Sequence, residues 1–187
     1  MHTHSPLPVA RFAHPMKNVG ALGVEPGMKV ADFGSGSGAY VFAIAQALEG
    51  SGHVYAIDIQ RDLLRRLKNE AERRGYKNVE VICGDLEIPG ASKLADQSID
   101  LVLVSNLLFQ LADHAPALQE SRRIVRPGGQ LAIIDWSDSF GGMGPQKKDV
   151  VTREAAKKKA RDAGFDFVHE FPAGAHHYGL LFKPEKV

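Results

Sequence analysis

The chain has 187 residues, 44% of them hydrophobic, which is enough for one substantial core and near the usual size of a single domain. Its formal charge of +1 supplies no global field for nucleic acid or an anionic membrane. No stretch approaches the length of a membrane span, and the start MHTHSPLPVA lacks the basic residues and apolar run of a signal peptide, so a cytoplasmic protein is expected.

Residues 1–24 read as a leader, with His2, His4 and His14 among prolines, that closes in a lid helix over Pro15 to Leu22. Residues 25–187 read as one ligand-binding domain. Its first strand, MKVADF, follows Glu25-Pro26-Gly27, where proline presets the second turn position and glycine the third. A glycine loop then leads into a helix of about Gly38 to Leu48. The strand HVYAID precedes a second helix, about Asp62 to Arg74, with Leu63, Leu64 and Leu67 on one face and Gly75 at its end. The third strand, VEVICGD, holds the single cysteine, Cys83, which reads as a buried small hydrophobe.

IDLVLVS, from Ile99, is apolar almost throughout, as a strand covered by helices on both faces must be. A helix of about His114 to Val125 stops at Arg126-Pro127-Gly128-Gly129, read as the turn into the fifth strand, QLAIIDW. After a GGMGP loop come a helix of about Thr152 to Ala163 and two strands, FDFVHEF and HHYGLLF, expected as an antiparallel hairpin on one edge. Alternating βα units of this kind predict a doubly wound, Rossmann-like α/β fold with a seven-stranded, mostly parallel sheet. Ligands then bind outside the carboxyl ends of the strands, near the switch point.

The stretch ADFGSGSGAY admits two ligands. Gly34, Gly36 and Ala39 satisfy the dinucleotide pattern, in which pyrophosphate sits on the helix N-terminus. Asp32 would then lie close to the phosphates. A ligand with a cationic sulfonium and an amino-acid end suits the loop better, its carboxylate facing the amides and its positive groups the acid. Asp58, ending the second strand, is placed to accept from ribose hydroxyls, and Asp85, in GDLE, from an adenine amino group. No tyrosine stands four residues before a lysine, as a short-chain dehydrogenase would need.

The order ADFGSGSG, VYAID, GDLE, DLVLVSN and RPGGQLAIIDW resembles the class I S-adenosylmethionine-dependent methyltransferases, in particular the ubiquinone and menaquinone methyltransferase-like (type 11) branch. That resemblance implies S-adenosylmethionine as cofactor for a domain spanning 25–187. It places Gly34, Gly36 and Gly38, with Ser35 between them, along the methionine moiety and matches Asp32 to the acid of the first motif. Asp58 would hold the ribose with Ile59 beside it, Asp85 and Leu86 would flank the adenine, and Ser105 and Asn106 would face the methionine end. The acceptor is expected to be a small molecule, with a catalytically silent nucleoside-binding module and an RNA methyltransferase as the other readings.

The remaining candidates have no motif behind them. Asp135 and Tyr178, or a histidine beside Tyr178, are candidate general bases if the acceptor must lose a proton. The acceptor is expected on the side formed by the leader, Asn106 to Phe109, Asp135 to Gly144 and the turn before Tyr178, with Leu107, Leu108, Phe109, Trp136 and Phe140 as apolar lining. Asn106-Leu107-Leu108-Phe109 lacks the prolines of the Asn-Pro-Pro-aromatic signature and reads as a buried helix start. Lys157, Lys158, Lys159 and Arg161, with Lys147 and Lys148, read as a solvated face over inward alanines. His176 and His177 point to opposite sides of a strand, so no metal site is expected.

Overall fold

The computed structural model describes residues 13–140, 142 and 144–186. Seven strands form one sheet: β1 (Lys29–Phe33), β2 (His53–Asp58), β3 (Val79–Cys83), β4 (Ile99–Ser105), β5 (Val125–Trp136), β6 (Phe165–Pro172) and β7 (His177–Pro184), in the order β3-β2-β1-β4-β5-β7-β6. The first five strands run parallel, and β7 is antiparallel to both β5 and β6. Five helices accompany them: α1 (Pro15–Ala21), α2 (Ala39–Ala47), α3 (Arg61–Arg73), α4 (Ala115–Ile124) and α5 (Arg153–Asp162). The strand order reverses between β1 and β4, which puts the switch point at their carboxyl ends.

Strand alternation divides the core in two. Ala31 and Phe33 of β1 pack with α4 and α5 through Leu118, Ala156 and Ala160, while Val30 packs with α1 and α2 through Val19, Val41 and Ile44. The turn before β1 is closed by the Met28 amide donating to the Glu25 carbonyl at 3.2 Å, with Gly27 at φ 91°. Helix α3 ends with Gly75 at φ 78° and the Tyr76 amide reaching back to the Ala71 carbonyl.

Two sequence expectations are corrected. Arg126-Pro127-Gly128-Gly129 is not a turn between helix and strand: β5 begins at Val125 opposite Ile99, and pairing resumes at Gln130 opposite Leu101, so these residues bulge out within the strand. Arg126 is thereby brought to Asp100, with which it forms an ion pair. Cys83 is partly exposed rather than buried, because β3 is an edge strand with one open side.

Of the lysine run only Lys158 is exposed, Lys157 and Lys159 being half-buried. Lys157 bonds Glu170 and Glu154, Lys158 bonds Asp162, and Ala156 and Ala160 are fully buried beneath them. Helix α1 forms where the lid helix was expected and is fixed by Asn18, whose Nδ2 donates to the Tyr40 hydroxyl at 2.9 Å and to the Ala173 carbonyl at 3.0 Å. His2 and His4 lie outside the described residues, as do Gly141 and Met143 of the GGMGP loop. No helix among the described residues is long and apolar enough to cross a membrane.

Candidate functional site

Two adjoining cavities run along the carboxyl ends of β1 to β5. The larger, of about 450 Å³, is bordered by the glycine loop, Asp32, Tyr40, Ser105, Asn106, Trp136 and His177. The smaller, of about 220 Å³, is lined by Asp58, Ile59, Asp85 and Leu86. They meet at Gly34, Gly36 and Gln110, which line both. The candidate cofactor residues proposed from the sequence are thus gathered on one rim, with the exception of Gly38, which borders neither cavity and starts α2 at φ 89°.

The loop backbone explains its glycines. Gly34 has φ 75°, and a Cβ there would stand 2.9 Å from Leu107 Cδ1. Gly36 has φ 52°, its amide donates to Asp58 Oδ2 at 2.8 Å, and a Cβ there would make only an ordinary contact, 3.9 Å from the Gly34 carbonyl oxygen. Helix α2 has no side-chain N-cap bond, so the amides of its first turn face the loop without an intrahelical partner. Asp58 spends its other oxygen on the Gln60 amide at 2.8 Å, which ties the ends of β1 and β2 together while leaving lone pairs for hydroxyl donors. Asp85 Oδ1 accepts from the Glu87 amide at 3.0 Å, so this acid shapes its own turn as well as bordering the smaller cavity. Ile59 lines the same cavity and is 60% exposed.

Asp32 is the electrostatic centre of the site. It is buried, its Oδ1 has no hydrogen-bond partner, and burial, reinforced by the Asp58 charge, pushes its carboxyl up to about 7. Ser35 Oγ is likewise buried and unpartnered on the same cavity wall. An isolated buried carboxylate is costly; a proton removes that cost, and so does a bound cation with hydrogen-bond donors.

Of the candidate general bases, His177 borders the larger cavity, whereas Asp135 and Tyr178 stand elsewhere. Asp135 pairs across the sheet with Tyr178, one residue out of phase with Trp136 and His177, so both project to the opposite face from the larger cavity. Asp135 is buried and holds the Leu108 amide at 3.0 Å and the Trp136 amide at 2.8 Å; burial raises its carboxyl to about 6 against these bonds. Tyr178 donates to the Val151 carbonyl at 2.9 Å, and burial followed by the Asp135 charge raises its phenol. Asp135 therefore supports the 107–109 segment from behind. Leu108 is fully buried in the core and Phe109 lines neither cavity, so of the apolar residues expected as acceptor lining Trp136 borders the larger cavity and Leu107 only the smaller. Phe140 stacks on His176, with centroids 4.0 Å apart.

Sequence reasoning missed Tyr40 and Gln110 as lining residues. Tyr40 sits in the helical pattern AYVFAIA, where its spacing reads as core, and Gln110 carries no local signal.

With this geometry in place, the comparisons are specific. A family model described as a methyltransferase domain matches residues 24–163, and the chain belongs to that family. A demethylmenaquinone methyltransferase of Bacillus velezensis is 30% identical over 128 residues, covering 67% of this chain and 53% of that one. An arsenite methyltransferase of Aquipseudomonas alcaligenes is 38% identical over 114 residues, covering 58% of this chain and 33% of that one. The chain thus spans between a third and about half of these curated relatives. A crystal structure of a SAM-dependent methyltransferase from Aquifex aeolicus superposes with a TM-score of 0.83 at 28% identity, covering 95% of this chain and 93% of that chain. The class I methyltransferase resemblance and the seven-stranded fold are both borne out.

Proposed function

We propose that the chain binds S-adenosylmethionine across the two cavities and transfers its methyl group to a small molecule held against Asn106, Gln110, Trp136 and His177. The observation that carries this reading is the unpartnered, buried Asp32 carboxylate at the mouth of a glycine loop. It suits the cofactor's positive amino-acid and sulfonium groups and repels a pyrophosphate. In the same reading the amides starting α2 take the cofactor's carboxylate, Asp58 the ribose, and Ile59, Asp85 and Leu86 the adenine. The relatives named for demethylmenaquinone and arsenite support a small-molecule acceptor, and the pairing of Lys157 and Lys158 with acids leaves RNA fewer charges to hold on α5.

The cofactor, when bound, supplies an activated methyl on a cationic sulfur. The chain's residues then have to bind and align, which in favourable systems lowers a barrier by up to ~7–11 kcal/mol. Helix α1 would act as the lid: Ala13 and Pro15 border the larger cavity, and Asn18 anchors the helix to α2 and to the turn before β7.

Calorimetry is expected to give saturable binding of S-adenosylmethionine and S-adenosylhomocysteine and none of NAD or NADP; the reverse pattern would overturn the reading. Incubation with labelled cofactor and fractionated small molecules and RNA is expected to label a small-molecule fraction. Asp58→Ala is expected to weaken cofactor binding about tenfold or more without unfolding the domain, since each hydrogen bond lost from a charged acceptor costs roughly 1.5–3 kcal/mol. An unchanged dissociation constant in the folded variant removes Asp58 from the site.

A further inference from the structure

His177 is buried, 6% exposed, on the wall of the larger cavity, and its ring lies against Trp136 with centroids 4.4 Å apart. Its Nε2 stands 2.9 Å from Asn106 Oδ1, while Nδ1 is buried with no partner. A carboxamide oxygen only accepts, so the imidazole proton must be on Nε2, leaving Nδ1 as a bare lone pair. The opposite tautomer would bury an unpaired N–H and set two lone pairs against each other, which costs more.

Asn106 is itself held with care. It has φ 51°, a backbone conformation uncommon outside glycine. Its amide donates to the Ile134 carbonyl at 2.8 Å, and Gln110 Nε2 donates to its carbonyl at 2.6 Å. With Oδ1 committed to His177, Nδ2 is turned toward Ser105, whose Oγ is a distant 3.5 Å away. Both residues line the larger cavity. One N–H of Asn106 is therefore engaged weakly and the other is left for a ligand.

From this arrangement, and resting on the reading above, we infer that His177 is a positioning residue: it fixes the Asn106 carboxamide so that the cavity presents a hydrogen-bond donor, selecting an oxygen on the bound ligand. That oxygen belongs either to the cofactor's carboxylate or to the methyl acceptor. Burial, then the neighbouring His176, lowers the His177 imidazole to about 4 against the opposing pull of Asp138. Trp136 and Asn106, which both lie against the ring, carry no titrating charge. The clamp therefore keeps one tautomer through neutral pH, and Nε2–H donates to Asn106 throughout.

The test combines a spectroscopic signature with a mutant cycle on the full chain. Nitrogen-15 imidazole spectra are expected to show His177 neutral and protonated on Nε2 from pH 8 to pH 5. His177→Phe, which keeps an aromatic ring against Trp136, is expected to weaken S-adenosylhomocysteine binding about three- to tenfold if the oxygen is the cofactor's. If it is the acceptor's, that affinity stays put and turnover of S-adenosylmethionine with the labelled small-molecule fraction falls by a similar factor. In either case the effect should vanish in an Asn106→Ala background, and His177→Gln, which retains an N–H donor, should recover most of it. An Nδ1-protonated ring, an ordinary titration near 6.5, or independent effects of His177→Phe and Asn106→Ala would overturn the inference. A wild-type chain that shows the expected tautomer yet binds no S-adenosylhomocysteine would instead bring down the methyltransferase reading, and this role with it.

Discussion

Replacing Glu120 by alanine is expected to lower the melting temperature by roughly 6–20 °C, taking about 3–5 kcal/mol for a broken buried ion pair and 2–4 °C per kcal/mol for a domain of this size. Glu120 of α4 is 3% exposed and accepts from the amides of Ser92 at 3.1 Å and Gly90 at 3.3 Å, from the Ser92 hydroxyl, and from Arg123 at 2.7 and 2.9 Å. Arg123 continues to Asp96. The carboxylate thereby fastens the long connection between β3 and β4, which forms neither helix nor strand and carries Asp85 and Leu86 at its start. Alanine would strand these donors and leave the Arg123 cation half-buried without its main partner.

The same group gives the stability a signature in acid. Burial alone would raise the Glu120 carboxyl, but the hydrogen bonds from Arg123 and Ser92 outweigh it and bring it down to about 2. A carboxylate depressed in the folded state contributes stability above its unfolded value, near 4.5, and loses it as pH falls toward 2. Urea unfolding should therefore show the gap between wild type and Glu120→Ala closing as pH falls from about 5 to 3. A melting shift under 2 °C with a constant gap would mean that the network is incidental to stability.

The sequence revealed the scaffold because its signals are local. MKVADF, HVYAID and IDLVLVS are strands by their apolar runs, and Gly75 ends α3 by a backbone conformation that glycine adopts without cost. The rim acids were legible because strand ends are legible. What failed were statements that depend on a register phase. Asp135 and Trp136 are neighbours in sequence on opposite faces of β5, and which of them faces the cavity depends on the bulge at Arg126-Pro127-Gly128-Gly129 and on the pairing with β7. Neither is written in the residues of QLAIIDW. His177 illustrates the same limit: its importance comes from Asn106, 71 residues away, and no local pattern joins them.

Cofactor affinity is expected to depend on pH through Asp32, and Asp32→Asn to remove that dependence. In the free protein the Asp32 carboxyl titrates at about 7, raised first by burial and then by the Asp58 charge. A cationic ligand pairs with the ionised form, so below pH 7 part of its binding free energy goes into removing a proton. Apparent affinity for S-adenosylhomocysteine should then fall by up to tenfold for each pH unit below about 7, until the lower titration point of the complex is reached. Calorimetry at pH 6.5 in two buffers of different ionisation enthalpy should detect the released proton directly.

At pH 8 the asparagine variant should bind roughly 10- to 150-fold more weakly, the equivalent of about 1.5–3 kcal/mol for a charge-assisted bond. Its affinity should be flat with pH. The unbound variant should also be the more stable protein. Because the wild-type carboxyl is raised in the folded state, the unfolded chain ionises first, and stability declines as pH rises from about 4 to about 7 and stays reduced above it. Asparagine keeps the shape and discards that charge, so its stability advantage should grow across this window, while its affinity deficit is largest at alkaline pH. A variant that binds as the wild type does, or is less stable than it at pH 8, would place Asp32 among ordinary core residues and leave the glycine loop without the charge that distinguishes its ligand.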